Sequence, residues 1–234
     1  MDRVTDDGSE HAVITAIRAG DLPGLRQLLT DQPGLATARF RGRSLLHIAT
    51  DWPGHRPDVA ATIAILVAAG ADPNSRFDGE HSETPLHWAA SNDDTEAVDA
   101  LLDAGADIDA PGAVIAGGTP MADATAFGQW NAARRLVERG AATNLFEAAA
   151  LGLLDRVEHH LAGRPTAEDV TSSFWGACHG GQVGTAAVLL ESGADLDWVG
   201  YDGLTPLDAA RRAGADDVVG WLLRHGARSA SSQT

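Results

Sequence analysis

Thr84-Pro85-Leu86-His87-Trp88-Ala89-Ala90 is the stretch that decides the fold, because near copies of it recur as Thr119-Pro120-Met121-Ala122-Asp123-Ala124 and Thr205-Pro206-Leu207-Asp208-Ala209-Ala210. Proline fixes φ near the helical value and lacks an N–H that a first helical turn would leave unbonded anyway, so each copy reads as a helix start with threonine at the cap. Each copy is followed by a Leu/Val-containing run and then Gly-Ala. The glycines of those pairs stand at 70, 105, 140, 193 and 226, in steps of 35, 35, 53 and 33 residues. A period this regular means stacked supersecondary units rather than one globular core, and the step of 53 holds one full unit plus a shortened one.

Period and motif together resemble the ankyrin repeat. That resemblance implies an all-α ankyrin repeat solenoid of about seven helix-turn-helix units joined by short hairpin-like loops. The units expected are 10–38, 43–75, 83–110, 118–143, 145–164, 172–197 and 203–228, after a polar segment 1–9 and before a disordered tail 229–234. The first unit lacks Thr-Pro but keeps helical spacing in Val13, Ile14, Ala16 and Ile17 and in Leu25, Leu28 and Leu29, as a terminal cap does. In the second, Asp51-Trp52-Pro53-Gly54-His55-Arg56-Pro57-Asp58 forms an enlarged turn. The fifth begins five residues after Gly140, so its hairpin is missing.

Composition excludes several classes. The 17 basic residues are all Arg, and 33 acidic residues bring the net charge to -16, which repels phosphate backbones and anionic lipid. Neither nucleic acid nor membrane is an expected partner. Lys-free, Ala/Arg/Gly-rich usage suits a GC-rich bacterial genome. Aromatics make up only 5%, so Ala and Leu must fill the interior. Cys178 is the one cysteine, which rules out an intramolecular disulfide and fits a reducing cytoplasm. No apolar run approaches the roughly 18 residues of a membrane span. Without Lys no phosphate-binding Gly-x-x-x-x-Gly-Lys loop is possible, and no His-Glu-x-x-His helix occurs. No cofactor, metal or catalytic residue is expected.

Most chemically suggestive residues have structural readings. Adjacent His159 and His160 point in different directions on a helix, and Cys178 falls in the place of Ala90, a small packed contact. His47 and His87 recur at one place in the motif, which marks them as bonds to backbone between neighbouring loops; Asp208 holds that place in the last unit. Trp88 and Trp175 read as core. The acid run Asp93, Asp94, Glu96, Asp99, Asp103, Asp107 and Asp109 reads as a solvated face.

What the repeat does not require is more informative. The resemblance implies a concave surface made of loop tips and first-helix ends, and this chain places there Asp51, Trp52, His55, His81, Asn92, Phe127, Leu151, His179, Trp198, Tyr201 and Asp202. Aromatics among polar groups suit an interaction surface. The expected function is a non-enzymatic, monomeric, cytoplasmic module that binds a protein partner. The alternative is a pocket in which Asp51, Trp52 and His55 close over His81, Asp123 and His179 to take a small molecule or support acid–base chemistry.

Overall fold

The structure, a computed structural model, describes residues 7–232. It holds fourteen α-helices and no strand among those residues, in two compact bodies that divide after Ala141. The first body contains four helix pairs: α1 (Asp7–Ala19) with α2 (Leu22–Asp31), α3 (Leu45–Thr50) with α4 (Val59–Ala68), α5 (Pro85–Ser91) with α6 (Thr95–Asp103), and α7 (Pro120–Ala126) with α8 (Trp130–Glu138). First helices pack in the order α1, α3, α5, α7 and second helices in the order α2, α4, α6, α8. The second body contains α9 (Leu145–Ala150) with α10 (Leu154–Ala162), α11 (Ala167–His179) with α12 (Val183–Glu191), and α13 (Pro206–Arg212) with α14 (Asp216–Arg224), and within it first helices pack in the order α9, α11, α13 and second helices in the order α10, α12, α14. The only bridge of β type among the described residues joins Phe40 to Arg43.

Small residues line the first-helix row, where Ala49, Ala89, Ala90 and Ala124 are fully buried, while Ile63, Leu66, Val98, Leu101 and Leu136 fill the second-helix row. The second body repeats the division with Ala148, Ala149, Ala177 and Ala210 against Val157, Leu189, Val218 and Leu222. Alanine on the first helices lets backbones approach closely, and branched side chains supply the apolar area that holds each stack. Cys178 is wholly buried in this core, and burial pushes its thiol far up, so it packs as a small apolar residue.

Two sequence expectations are corrected at the ends of elements. The sixth first helix starts at Ala167 rather than near 172, because Thr166 and Asp169 form a capping box: Asp169 N donates to Thr166 Oγ1 at 3.1 Å and Thr166 N to Asp169 Oδ2 at 3.1 Å. At the C-terminus the chain does not fray at Ser229. Ser229 Oγ and Ala230 N donate to Asp208 at 2.6 and 2.8 Å, and a 3-10 turn follows over Ala230–Ser232. Residues 1–6 of the polar segment and 233–234 of the tail lie outside the described residues.

Candidate functional site

The motif histidines tie consecutive loops together, and their chemistry explains where they are replaced. His47 Nδ1 lies 2.8 Å from Ser44 Oγ and 3.3 Å from Ser44 N, while Nε2 lies 3.2 Å from the Glu83 carbonyl. His87 repeats the pattern with Thr84 N at 3.0 Å and the Gly118 carbonyl at 3.4 Å. A carbonyl only accepts, so Nε2 carries the hydrogen and Nδ1 receives the cap's N–H; neutral imidazole alone can do both. Burial pushes both histidines down to about 4 and keeps them in that neutral form.

In the second body Trp175 takes this place, its Nε1–H donating to the Leu204 carbonyl at 3.0 Å. All three carbonyls also accept a loop N–H, from Phe77, Ala113 and Gly200 respectively. Trp175→Phe should therefore remove one donor without orphaning Leu204, a loss of about 1–2 kcal/mol measurable by urea denaturation. Asp208, at the same place in α13, is a carboxylate that only accepts, and it takes hydrogen bonds from Ser229 Oγ and Ala230 N.

At the opposite end of the first helices, the enlarged turn of the first body is pinned to its neighbour. His55 N donates to Asp94 Oδ2 at 2.6 Å, the His55 ring meets the Asn92 carbonyl at 3.1 Å, and Asn92 Nδ2 donates to the Thr50 carbonyl at 2.9 Å. Arg56 holds the carbonyls of Asp51 and Trp52, and Asp51 pairs with Arg43 at 3.0 Å. On this fixed loop Trp52 is 78% exposed, so its ring is not packed among its own loop residues. Phe127, the C-cap of α7, is also exposed. Asp94, expected on a solvated face, is 1% exposed, caps α6 and anchors the loop. Asp99 and Asp103 of the same acid run are engaged by Arg139, and Asp99 also by Arg135.

His81 lies at the other end of α5, near Glu83 and Asp123. The seven residues of α5, about 10 Å of helix, thus stand between His81 and the His55 loop. An open groove of about 460 Å³ lies between α1 and α2, bordered by His11, Thr15, Ala16, Gln27 and Leu28, and touches none of the candidate residues.

In the second body the candidates separate by burial. Leu151, expected on the surface, is buried at 7%. It is the C-cap of α9, as Phe127 is of α7, but its side chain turns inward. His179 is partly buried with its ring 5.3 Å from Trp175. The loop 194–204 brings Tyr201 edge-on to Trp175 at 5.1 Å, to Phe146 at 5.8 Å and to Trp198 at 5.8 Å. Trp175 is buried and Tyr201 half exposed, so the rings form a ladder from core to surface. Asp202 at its rim is paired with Arg212 at 2.5 Å. Phe146 joins α9 to this ladder; nothing in its local sequence marks it, because the contact is made across two repeats.

No group of three His, Cys, Asp or Glu side chains suited to a metal occurs among the described residues, and no described helix is long and apolar enough to cross a membrane.

Comparison with known proteins agrees with this architecture. A model of ankyrin repeats in three copies matches residues 58–147, and a single ankyrin repeat model matches 202–232. An ankyrin repeat and KH domain-containing protein of Caenorhabditis briggsae is 39% identical over 54 residues, which are 23% of this chain and 2% of that protein. The chain therefore spans a very small part of that relative. The crystal structure of the human ASB11 ankyrin repeat domain aligns with a TM-score of 0.55 and 20% identity, over 90% of this chain and 96% of that one. With its motif, stacked helix pairs and bridging histidines accounted for, the chain belongs to the ankyrin repeat family.

Proposed function

We propose that the chain is a non-enzymatic, monomeric cytoplasmic module that binds a protein partner through the exposed ends of its first helices and the adjoining loops. Ankyrin repeats generally serve protein–protein interaction, and the observation that carries this reading is Trp52, 78% exposed on a loop held by Arg56, Asp94 and Asn92. A rigid, solvent-facing tryptophan loses little entropy on binding and brings a large apolar area to the contact. In the second body Tyr201 offers the same combination, with Trp198, Phe146 and Trp175 behind it. The net charge of -16 favours a partner surface that is neutral or basic.

The test is capture of partners by the purified chain, compared between wild type, Trp52→Ala and Tyr201→Ala. Trp52→Ala should weaken capture by about tenfold or more while moving the melting temperature by no more than about 3 °C, since the ring has little packing to lose. Undiminished capture by both variants would remove the exposed aromatics from the interface.

A further inference from the structure

The turn that presents Trp52 is ordered from outside its own unit. Residues 51–58 are wedged between two neighbours: a Cβ on Gly20, in the turn between α1 and α2, would come within 2.7 Å of the Pro57 carbonyl oxygen, and a Cβ on Gly54 would lie 2.9 Å from Asn92 Cβ. Within the turn Gly54, His55 and Asp58 have φ of +75°, +50° and +50°. Glycine adopts such values freely, whereas histidine and aspartate reach the left-handed region at a cost, so the chain keeps this path only where its surroundings hold it.

The groups that hold it differ in kind. Arg56 Nη2 donates to the Asp51 carbonyl at 3.3 Å and to the Trp52 carbonyl at 3.0 Å, but Arg56 belongs to the turn and moves with it. The His55 ring meets the Asn92 carbonyl at 3.1 Å from a side chain that is 63% exposed, where water competes for the bond. The Asp94 side chain is 1% exposed, and both of its oxygens are spent on backbone N–H groups. Oδ1 accepts from Ala97 N at 3.0 Å as the N-cap of α6, and Oδ2 accepts from His55 N at 2.6 Å. Hydrogen bonds to a carboxylate are strongest where water hardly reaches it.

On the reading of Trp52 as the contact residue, we propose that Asp94 is its positioning residue: a strut that takes its own place from the α6 cap, fixes the left-handed backbone at His55, and so sets the direction in which the indole faces solvent. At 1% exposure Asp94 cannot itself meet a partner. Trp52 is thus aimed by the unit that follows its own. Because one carboxylate serves both ends, the turn 51–58 and the first turn of α6 are coupled, and whatever restrains one favours the other.

Backbone nitrogen-15 relaxation of the full chain tests this without a partner. In wild type the Trp52 and Gly54 amides should show order parameters of about 0.85, as in rigid backbone. Asp94→Ser keeps an acceptor for Ala97 N, since serine caps a helix about as well as aspartate, but it has no second oxygen for His55 N. In this variant both order parameters should fall below about 0.6 while the Ala97 amide stays protected from hydrogen exchange. A residue that served only to cap α6 would leave the turn rigid, so unchanged Trp52 and Gly54 amides in Asp94→Ser overturn the strut. His55→Asn keeps the backbone N–H and tolerates positive φ but removes the imidazole, and it should leave Trp52 and Gly54 ordered. Loosening as great as in Asp94→Ser would make the ring bond to Asn92 the anchor and overturn the role of Asp94. Should Asp94→Ser not fold, wild-type exchange decides: the His55 amide should exchange about 10-fold or more slower than in an unstructured chain, and exchange at the unstructured rate overturns the strut. A turn loosened by Asp94→Ser that still captures partners as wild type does would support the strut and remove Trp52 from the interface.

Discussion

Leu101→Ala should destabilise the first body by about 2–5 kcal/mol, the range for truncating a buried leucine that leaves a cavity. Leu101 is fully buried on α6, which packs against α4, α5 and α8. A helix held on three sides has little freedom to collapse into the space left behind, which places the expectation toward the upper part of that range. Alanine is the better helix former, so the loss would come from packing and not from α6 itself. Urea denaturation should show a lower midpoint with an unchanged slope in the transition of the first body. A near-silent result would mean that α6 presents a different face to its neighbours.

The reason this residue could be chosen from the sequence is that the Thr-Pro-Leu-His register fixes each helix pair locally. Pro85, Pro120 and Pro206 begin α5, α7 and α13 as their chemistry requires, and the apolar residues of the following helix fall into place from there. Where the motif is absent, other local signals were present but weaker. Thr166-x-x-Asp169 is a capping box written in the sequence, and it extends α11 by a turn and a half beyond the repeat register. The candidate surface was less legible because exposure there is decided by what a neighbouring repeat supplies. Phe127 and Leu151 occupy equivalent C-caps, yet one is 48% exposed and the other 7%. Trp52 could be placed on its turn, but the anchoring of that turn by Asp94, 39 residues away, is a product of stacking.

Gly180→Ala should be the most damaging single-methyl change in the second body, costing about 3 kcal/mol or more, the upper end for overpacking. Gly180-Gly181 reads in sequence as a flexible turn, but the two glycines are needed for different reasons. Gly181 has φ +75°, a left-handed conformation, and a Cβ there would touch only the Ala215 side chain at an ordinary 3.5 Å. Gly180 has φ -79° and ψ -2°, which any residue adopts. Its constraint is space: a Cβ would lie 1.9 Å from the Ala150 carbonyl oxygen and 2.7 Å from its carbon, both main-chain atoms that no rotamer change can clear. Ala150 ends α9 and Gly180 caps α11, so the methyl group could be admitted only by moving these helices apart along the close alanine-lined contact that also seats Phe146 and Trp175. Gly181→Asn, by contrast, keeps a residue that tolerates positive φ and should cost no more than about 1 kcal/mol. Denaturation of the two variants, with near-ultraviolet circular dichroism to follow the Trp175–Tyr201 ladder, separates the explanations. Loss confined to Gly180→Ala identifies backbone proximity as the requirement. Equal loss in both would assign it to turn conformation, and tolerance of alanine at 180 would mean that α9 and α11 stand farther apart than described.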